Sequence, residues 1–181
     1  MVMLNQFEKY GLCFELLNHE NLELLRVWRN SDFVRNQMLY QETITPEKHL
    51  EWYRDLDKSK NFYYIVSQKG RNVGVSSIKN IEAEFGEPGF FLIDESLKET
   101  SITARVYIAM AEFYFQFLNL KHLYIHVLKS NQTALKSNLF LGYKIIPENC
   151  GEDFLYLSLE KEIFESNKRI KNLNIYLNNE K

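Results

Sequence analysis

The sequence predicts a single α/β (α+β) domain with a central, mixed, twisted sheet of seven strands flanked by helices. The chain has 181 residues, a length that suits one domain rather than two. Its apolar share is 45%, with 13 Phe and 11 Tyr, which is enough to bury a full core. Strand-like and helix-like patterns alternate along the chain. A long helical segment between two strands is typical of parallel neighbours joined by a crossover.

The first half of the chain is predicted to hold one strand and two main helices. A strand over 12–17 precedes a helix over 19–29, which Asn18 can cap. Residues 31–40 follow as a short helical or looped stretch. Thr45-Pro46 marks the start of the second helix, because a capping hydroxyl is followed by proline in the first turn. The predicted face of that helix consists of His49, Leu50, Tyr53 and Leu56.

The second half holds the rest of the sheet. A helix over 101–118 and a helix over 132–141, ended by Gly142, separate its strands. Residues 86–89, which contain glycine and proline, lead into the strand at 90–93. The remaining strands are predicted over 61–67, 73–81, 90–93, 121–128, 143–146 and 153–159.

The predicted domain covers residues 1–160, and residues 161–181 form a polar extension rich in Asn and Lys. Ile163, Ile170 and Leu177 recur at seven-residue spacing in this extension. The spacing leaves two alternatives open. One is a helix docked on the domain or on a second copy of the chain, in a homodimer, and the other is a solvated tail.

Charge and cysteine usage narrow the function classes. The net charge of −2 gives no general attraction to nucleic acid or to an anionic membrane. No run reaches the ~20 apolar residues that span a bilayer, and the N-terminus lacks an apolar signal core. Cys13 and Cys150 have no metal-ligand spacing, so we expect reduced thiols and no metal site. We expect a cytoplasmic protein.

The most informative segment is 127–146, in which a strand leads through Asn131 into a helix that ends at Leu141-Gly142-Tyr143. Asn131, Ala134 and the Leu-Gly-Tyr end resemble the pattern of the GNAT superfamily of N-acetyltransferases. The resemblance covers residues 12–159. It implies the GNAT fold, with two strands splayed at an acetyl-CoA site, and it implies that Asn131, Ala134 and the helix beside them hold the CoA arm. An unrelated capped helix is the alternative for this segment taken alone.

A second group of residues lies near the N-terminus. Trp28-Arg29-Asn30 ahead of a helix with His49 and Trp52 resembles one GNAT branch. That branch contains the UDP-4-amino-4,6-dideoxy-sugar N-acetyltransferases of pseudaminic acid synthesis and the ribosomal-protein N-terminal acetyltransferases. Arginine can clamp a phosphate or carboxylate through its planar fork of donors, and tryptophan can stack on a base or a sugar face. The alternative is that the arginine tethers a helix end and both tryptophans belong to the core. The predicted substrate-binding residues are Arg29, Asn30, His49, Trp52 and Glu87.

The segment before the long central helix departs from the family pattern. GNAT proteins place a glycine-rich turn there, and its N–H groups bind the CoA pyrophosphate. Here the stretch 98–104 has no glycine, and Glu99 adds a negative charge. The resemblance still assigns cofactor binding to this loop and to the backbone of the preceding strand, that is, to Phe91, Leu92, Ile93, Lys98, Ser101, Ile102, Thr103 and Ala104.

Two residues are predicted to act in catalysis. His126 lies within an apolar strand beside the expected site, and imidazole can accept a proton from an ammonium group near neutral pH. His49 and Glu87 are the other candidates for the base, and a histidine with a purely structural role is the alternative. Many GNAT enzymes carry a tyrosine acid at the position of Asn138, which can donate a hydrogen bond but not a proton. The leaving thiolate is therefore expected to depart without an enzymic acid or to be protonated by water.

The sequence thus predicts an acetyl-CoA-dependent N-acetyltransferase for a small-molecule amine, with a UDP-linked amino sugar as the leading acceptor. Two other interpretations stay open. One is a protein N-terminal acetyltransferase, and the other is a GNAT-fold binding module that has lost CoA binding along with its glycines and its tyrosine.

Overall fold

The computed structural model describes residues 4–98 and 100–179, and it places them in one open sheet of eight strands flanked by helices. The predicted mixed α/β architecture is confirmed. The strand order is β1-β2-β3-β4-β5-β6-β8-β7. The strands are β1 Gln6–Lys9, β2 Leu12–Leu16, β3 Phe62–Gln68, β4 Arg71–Glu82, β5 Phe85–Leu92, β6 His122–Leu128, β7 Lys144–Ile145 and β8 Phe154–Glu160.

The sheet has one strand more than the seven predicted. The additional strand, β1, is a short edge strand whose residues are mostly exposed, so it lacks the apolar signal that marks the other strands. A tight turn at Tyr10-Gly11 joins it to β2. Both turn residues have positive φ, which suits the right-handed twist of a hairpin.

The helices follow the predicted order with shifted starts. They are α1 Leu22–Asn30, α2 Asp32–Arg35, α3 Pro46–Asp55, α4 Ile102–Glu112, α5 Gln132–Leu141, α6 Lys161–Ser166 and α7 Lys168–Asn179. The Asn18 side chain accepts hydrogen bonds from Glu20 and Asn21, which closes a turn, and α1 begins at Leu22 rather than at residue 19. The central helix continues past α4 as a π-helical turn over Phe113–Phe117.

The start of α3 is confirmed, because the Thr45 side chain accepts the N–H of Lys48 and Pro46 lies in the first turn. Its buried face differs from the prediction. His49 and Tyr53 are buried, but Leu50 is 54% exposed, since the short helix turns only part of its surface to the sheet.

The two faces of the sheet carry separate apolar cores. The larger core packs α4, α5 and the C-terminal helices on one face, and it includes Ile170 and Leu177 of α7. The smaller core packs α1 and α3 on the other face, around Ile65 and Val75. We call these the α4/α5 face and the α1/α3 face.

The parallel neighbours β5 and β6 separate soon after they meet. Their pairing consists of Phe85 with His122 and Gly86 with Leu123, although both strands continue for several residues. Pro88 helps to explain this, because it has no N–H and sits where the next donor toward β6 would be. The result is a wedge-shaped gap in the middle of the sheet, which we call the strand gap.

The structure changes the predicted start of β5. The strand begins at Phe85 rather than at residue 90, because residues 85–89 pair with β4 or β6. The pairing with β4 runs without interruption from Lys79–Glu87 to Gly74–Leu92, and the irregularity lies between Lys79 and Glu82. Pro88 and Gly89 therefore form no bulge against β4, and the separation occurs on the β6 side only.

Candidate active site

A cavity of about 400 Å³ occupies the strand gap and opens toward both faces of the sheet. Its walls on the α1/α3 face include Arg29, Tyr63 and His126. Its walls on the α4/α5 face include Tyr107 and Asn138. A molecule in this cavity can therefore touch groups on both sides of the sheet, which is the geometry that a transfer reaction between two substrates needs.

The edge of β5 offers backbone donors to the cavity. The N–H of Ile93 donates to the carbonyl of Val73 at 3.2 Å, and the alternation of an antiparallel ladder points the Phe91 N–H toward β4 as well. The N–H groups of Phe90 and Leu92 consequently point across the strand gap. The N–H groups of Phe91 and Ile93, both assigned to the cofactor from the sequence, are therefore used within the sheet, and Phe90 and Leu92 of the predicted strand supply the donors that face the cavity.

His126 and Glu87 face each other across the strand gap on the α1/α3 face. His126 Nδ1 lies 3.4 Å from Glu87 Oε1, and Glu87 also accepts from Lys79 Nζ at 3.1 Å and Asn80 Nδ2 at 2.8 Å. Burial alone raises the pKa of Glu87, but these three partners outweigh it and hold the pKa below its ordinary value. Glu87 is thus an anion that orients an imidazole next to the cavity.

A second cavity, of about 350 Å³, adjoins the first on the α1/α3 face. His49 stacks on Trp52 with ring centroids 5.0 Å apart, and Tyr63 meets Trp52 edge-on at 5.1 Å. Burial and the nearby charge of Arg26 lower the pKa of His49, which favours the neutral ring. The pocket thus has flat aromatic walls of the kind that take a planar ring or a sugar face. We call it the aromatic pocket.

Arg29 stands between the two cavities and lines both. Its Nη2 donates to the carbonyl of Tyr40 at 2.8 Å, whereas its Nη1 is buried and has no hydrogen-bond partner among the described residues. Burial lowers the pKa of Arg29, and Tyr40 offsets this only in part. A buried guanidinium nitrogen without a partner is costly, so this geometry favours an anionic ligand next to it.

Residues of α5 form the other wall of the main cavity. Asn131 caps this helix, since its side-chain oxygen accepts the N–H of Ala134 at 3.1 Å, and both residues line the cavity. Asn138 is buried against the same cavity, and its Nδ2 donates to the Ala134 carbonyl at 2.8 Å. Gly142, with φ of 105°, ends the helix in the left-handed region as predicted.

The predicted pyrophosphate loop lies beyond the walls of the main cavity. Thr103 sits one turn before Tyr107 on α4, so it continues the same side of the helix outward from the cavity. The N–H of Ile102 is taken by Thr100 Oγ1, and the Ile102 side chain is buried in the core. Ser101 precedes the helix without a side-chain cap, Ala104 follows Thr103 in the first turn, and Glu99 lies outside the described residues.

Two predicted binding residues have other partners in this structure. Lys98 pairs with Glu95 at 2.9 Å and lies 4.9 Å from the ring centroid of Phe33. Asn30 both donates to and accepts from the backbone of Ile44 at 2.8 Å, which uses its amide to hold the loop before α3. These contacts support a tethering role for Asn30 rather than a direct contact with substrate.

The sequence missed several residues that the fold brings to the cavities, because the strand register that gathers them is not visible in the chain. Lys79, a charged residue between Ile78 and Asn80 in β4, was the clearest available signal. The others carry no such signal and are Tyr40, Tyr63, Tyr107 and Tyr114.

The fold, with its cavity across the strand gap, is that of an acyl-transferring enzyme. The sequence profile of the family described as "Acetyltransferase (GNAT) domain" matches residues 12–142. The chain therefore belongs to this family of GNAT acetyltransferases, as the sequence resemblance implied. No curated protein matches the chain.

Solved structures give the same fold at low sequence identity. N-acetyltransferase PseH from Campylobacter jejuni, in complex with acetyl coenzyme A, has a TM-score of 0.64 and 23% identity, over 83% of this chain and 99% of that one. FdhC, described as a nucleotide-linked sugar GNAT, has a TM-score of 0.76 and 17% identity, over 93% and 97%. Spermidine N-acetyltransferase from Vibrio cholerae, in complex with CoA and spermine, has a TM-score of 0.73 and 16% identity, over 86% and 98%. Within the described ranges of this chain, no helix combines the length and apolarity that a membrane span requires.

Proposed function

We propose that the protein transfers the acetyl group of acetyl-CoA to the primary amine of a nucleotide-linked amino sugar in the cytoplasm. The observation that carries the proposal is Arg29, whose buried Nη1 lacks a partner at the junction of the main cavity and the aromatic pocket. A phosphate there would satisfy this nitrogen through a charge-assisted hydrogen bond.

The aromatic pocket supports the same class of acceptor. Trp52 and His49 offer stacked faces to a base or a sugar, and Lys48 adds a second positive charge to the lining. A nucleotide sugar consists of a flat base, anionic phosphates and a sugar. The aromatic pocket suits the base, Arg29 at the junction suits the phosphates, and the main cavity suits the sugar. Its amine would then reach Glu87 and His126 in the main cavity.

A polyamine acceptor fits these surfaces less well. Spermine and spermidine are cationic, and a cation in the aromatic pocket would lie beside Arg29 and Lys48, while none of the described residues that line this pocket carries a carboxylate. Among the described residues that line the main cavity, Glu87 is the acidic one, and Lys79 already neutralises it at 3.1 Å. The positive charges of Arg29 and Lys48 also disfavour an extended basic peptide. A protein N-terminal acetyltransferase is therefore the weaker alternative.

The geometry supports direct attack through the strand gap. The acceptor amine would approach from the α1/α3 face, and His126, oriented by Glu87, would take its proton directly or through water. The Phe90 N–H is the first donor after Pro88 that points into the gap, so it would stabilise the negative charge that develops on the thioester oxygen. The thiol would leave on the α4/α5 face.

The residues of that face fit the arm of acetyl-CoA. The Leu92 N–H group can bind an amide carbonyl of the arm, and Asn131 presents a side-chain amide to the cavity. The first turn of α4, with the N–H groups of Thr103 and Ala104, would receive its phosphates in place of a glycine-rich loop.

A panel of acceptors tests the proposal. The purified protein would be incubated with acetyl-CoA and, in turn, a UDP-4-amino-4,6-dideoxy sugar, spermidine and a peptide with a free N-terminus. Thiol release gives the rate, and mass spectrometry identifies the product. We expect the nucleotide sugar to be acetylated with the highest kcat/KM. A higher kcat/KM for spermidine or the peptide would contradict the proposed acceptor class. If no thiol is released with any of the three acceptors, the proposal as a whole is contradicted.

A further inference from the structure

Strand β4 contains a β-bulge directly beside Glu87. Its pairing with β5 is regular as far as the pair of Lys79 with Glu87, after which Asn80 and Ile81 together oppose one residue of β5 before the pairing resumes at Glu82. Asn80 has a φ of 51°, in the left-handed region that asparagine tolerates better than most residues other than glycine. A bulge of this kind bends the strand and redirects a side chain.

The bulge allows two consecutive residues to reach the same carboxylate. Successive side chains of a regular strand point to opposite faces of the sheet. Here Lys79 Nζ donates to Glu87 Oε1 at 3.1 Å, and Asn80 Nδ2 donates to Glu87 Oε2 at 2.8 Å. The redirected side chain of Asn80 therefore lies on the same face as that of Lys79, and both oxygens of Glu87 are held.

The loop before β3 supports the bulge. The N–H of Asn80 donates to Asn61 Oδ1 at 3.1 Å, and the N–H of Ile81 donates to the carbonyl of Lys60 at 3.1 Å. The backbone donors of both bulge residues thus have partners outside β5. Lys60 Nζ also lies 3.3 Å from Glu82 Oε1, where the pairing resumes. The backbone of Asn80 is therefore fixed independently of its side chain.

The two oxygens of Glu87 face different groups. Oε1 lies 3.4 Å from His126 Nδ1 across the strand gap, whereas Oε2 accepts from Asn80. A rotation that turned Oε1 away from His126 would break the bond to Asn80. Because the pKa of Glu87 is held below its ordinary value, the carboxylate can accept the Nδ1 proton, which leaves the lone pair on His126 Nε2 for a proton of the acceptor amine.

Three tyrosines lie close enough to interact with the charge of Glu87. They are Tyr63, Tyr124 and Tyr156. Burial raises the pKa of each, and the negative charge of Glu87 raises it further, so their hydroxyls stay neutral near pH 7. The groups that offset the effect of burial on the Glu87 pKa are Lys79, Asn80 and His126.

We propose that Asn80 is a positioning residue for acetyl transfer, and that its amide, directed by the bulge, holds Glu87 so that Glu87 orients His126. This inference rests on the proposed function. In the transfer, the amine nitrogen bonds to the acetyl carbon and its proton goes to His126. The electron pair of the broken carbon–sulfur bond goes to sulfur, which later takes a proton from solvent. Without the amide, Lys79 would draw Glu87 toward β4 and away from His126.

Two substitutions separate the amide of Asn80 from its backbone conformation. Asn80→Gly removes the amide and leaves the left-handed conformation accessible. Asn80→Asp keeps the size of the side chain and its tolerance of that conformation, but it replaces the donor by a carboxylate. Asn119→Gly is the matched control, because Asn119 is also an exposed residue in the left-handed region, with a φ of 54°, and it lies outside both cavities.

We expect Asn80→Gly to lower kcat roughly 10- to 100-fold with little change in the KM of either substrate, because a small misplacement of a catalytic group has effects of this size. Asn80→Asp should be at least as slow, since its carboxylate repels Glu87. In a Glu87→Gln background, Asn80→Gly should cause no further loss. Asn119→Gly should match the wild type.

A second measurement needs no turnover. The carboxyl carbon of Glu87 is followed by NMR in protein that contains labelled glutamate. The hydrogen bond from Asn80 is one of those that lower the pKa of Glu87, so this carboxyl should titrate at higher pH in Asn80→Gly and at still higher pH in Asn80→Asp. Asn119→Gly should leave the titration unchanged.

Two results would overturn the inference while leaving acetyl transfer intact. One is wild-type kcat in both Asn80 variants, because the amide would then be dispensable. The other is a loss in the Glu87→Gln background as large as in the wild type, because Asn80 would then not act through Glu87. A wild-type protein that acetylates no acceptor would contradict the proposed function itself, and the NMR titration would still show whether Asn80 holds Glu87.

Discussion

Replacement of Arg29 by glutamine should weaken acceptor binding with little effect on the free energy of unfolding. The reason is that Nη2 of the guanidinium is hydrogen-bonded, whereas Nη1 has no partner among the described residues. Loss of the bond from Nη2 to the Tyr40 carbonyl should cost about 1 kcal/mol. Removal of the buried Nη1, which has no partner among the described residues, should return about 1–3 kcal/mol of desolvation. The free energy of unfolding should therefore stay close to that of the wild type or rise slightly.

The effect on the acceptor should be large by comparison. If Nη1 binds an acceptor phosphate, its loss removes a charge-assisted hydrogen bond of about 1.5–3 kcal/mol. This corresponds to a rise of roughly 10- to 100-fold in the KM for the nucleotide sugar. Arg29→Lys should recover only part of the loss, because an ammonium group lacks the planar fork.

The assay combines urea unfolding with steady-state kinetics at saturating acetyl-CoA. Arg71→Gln is the matched control, since Arg71 is an exposed arginine at the turn between β3 and β4. It should leave both the unfolding free energy and the acceptor KM unchanged. The reasoning is refuted if Arg29→Gln unfolds several kcal/mol more easily, or if it binds the nucleotide sugar as well as the wild type does.

Three further substitutions test the other parts of the site. His126→Ala should lower kcat about 10²- to 10⁴-fold by removing the base, and an unchanged pH–rate profile would refute that role. Glu87→Gln should lose stability at pH 7, because the Glu87 carboxylate is paired with Lys79 and its pKa is lowered. A carboxyl group with a lowered pKa stabilises the fold above its ordinary pKa of 4.5, and this stabilisation is lost as the pH falls through its pKa in the folded protein. Urea unfolding should therefore show a smaller difference in unfolding free energy between wild type and Glu87→Gln at pH 3 than at pH 7. Asn131→Ala should cost about 0.5–2 kcal/mol of stability, since it removes the cap that accepts the Ala134 N–H, and calorimetry should show weaker acetyl-CoA binding. Unaltered acetyl-CoA affinity in that variant would limit Asn131 to a capping role.

Local signals in the sequence predicted the elements whose ends depend on nearby residues. Thr45-Pro46 marked the start of α3, and Gly142 marked the end of α5, because caps and left-handed residues act within a few positions of the chain. β5 was placed too late, since its first half is held by pairing with β4 and by its short contact with β6. Such pairing partners are remote in sequence.

The same distinction applies to the site. Asn131, His126 and Arg29 were found because residue type and position carry a signal, and all three line the main cavity. Asn30 was assigned to substrate by its neighbours in sequence, whereas the fold uses its amide to hold Ile44. Tyr143 also lines the main cavity, where the packing of α5 against the sheet brings it.

The central claim is that the strand gap between β5 and β6 binds acetyl-CoA although the loop before α4 has no glycine. The most direct measurement is the thermal unfolding of the wild-type protein with and without acetyl-CoA. At a ligand concentration 100 times the dissociation constant, binding should add about 2.7 kcal/mol to the free energy of unfolding and raise the Tm by several degrees. An unchanged Tm at millimolar acetyl-CoA would contradict the claim.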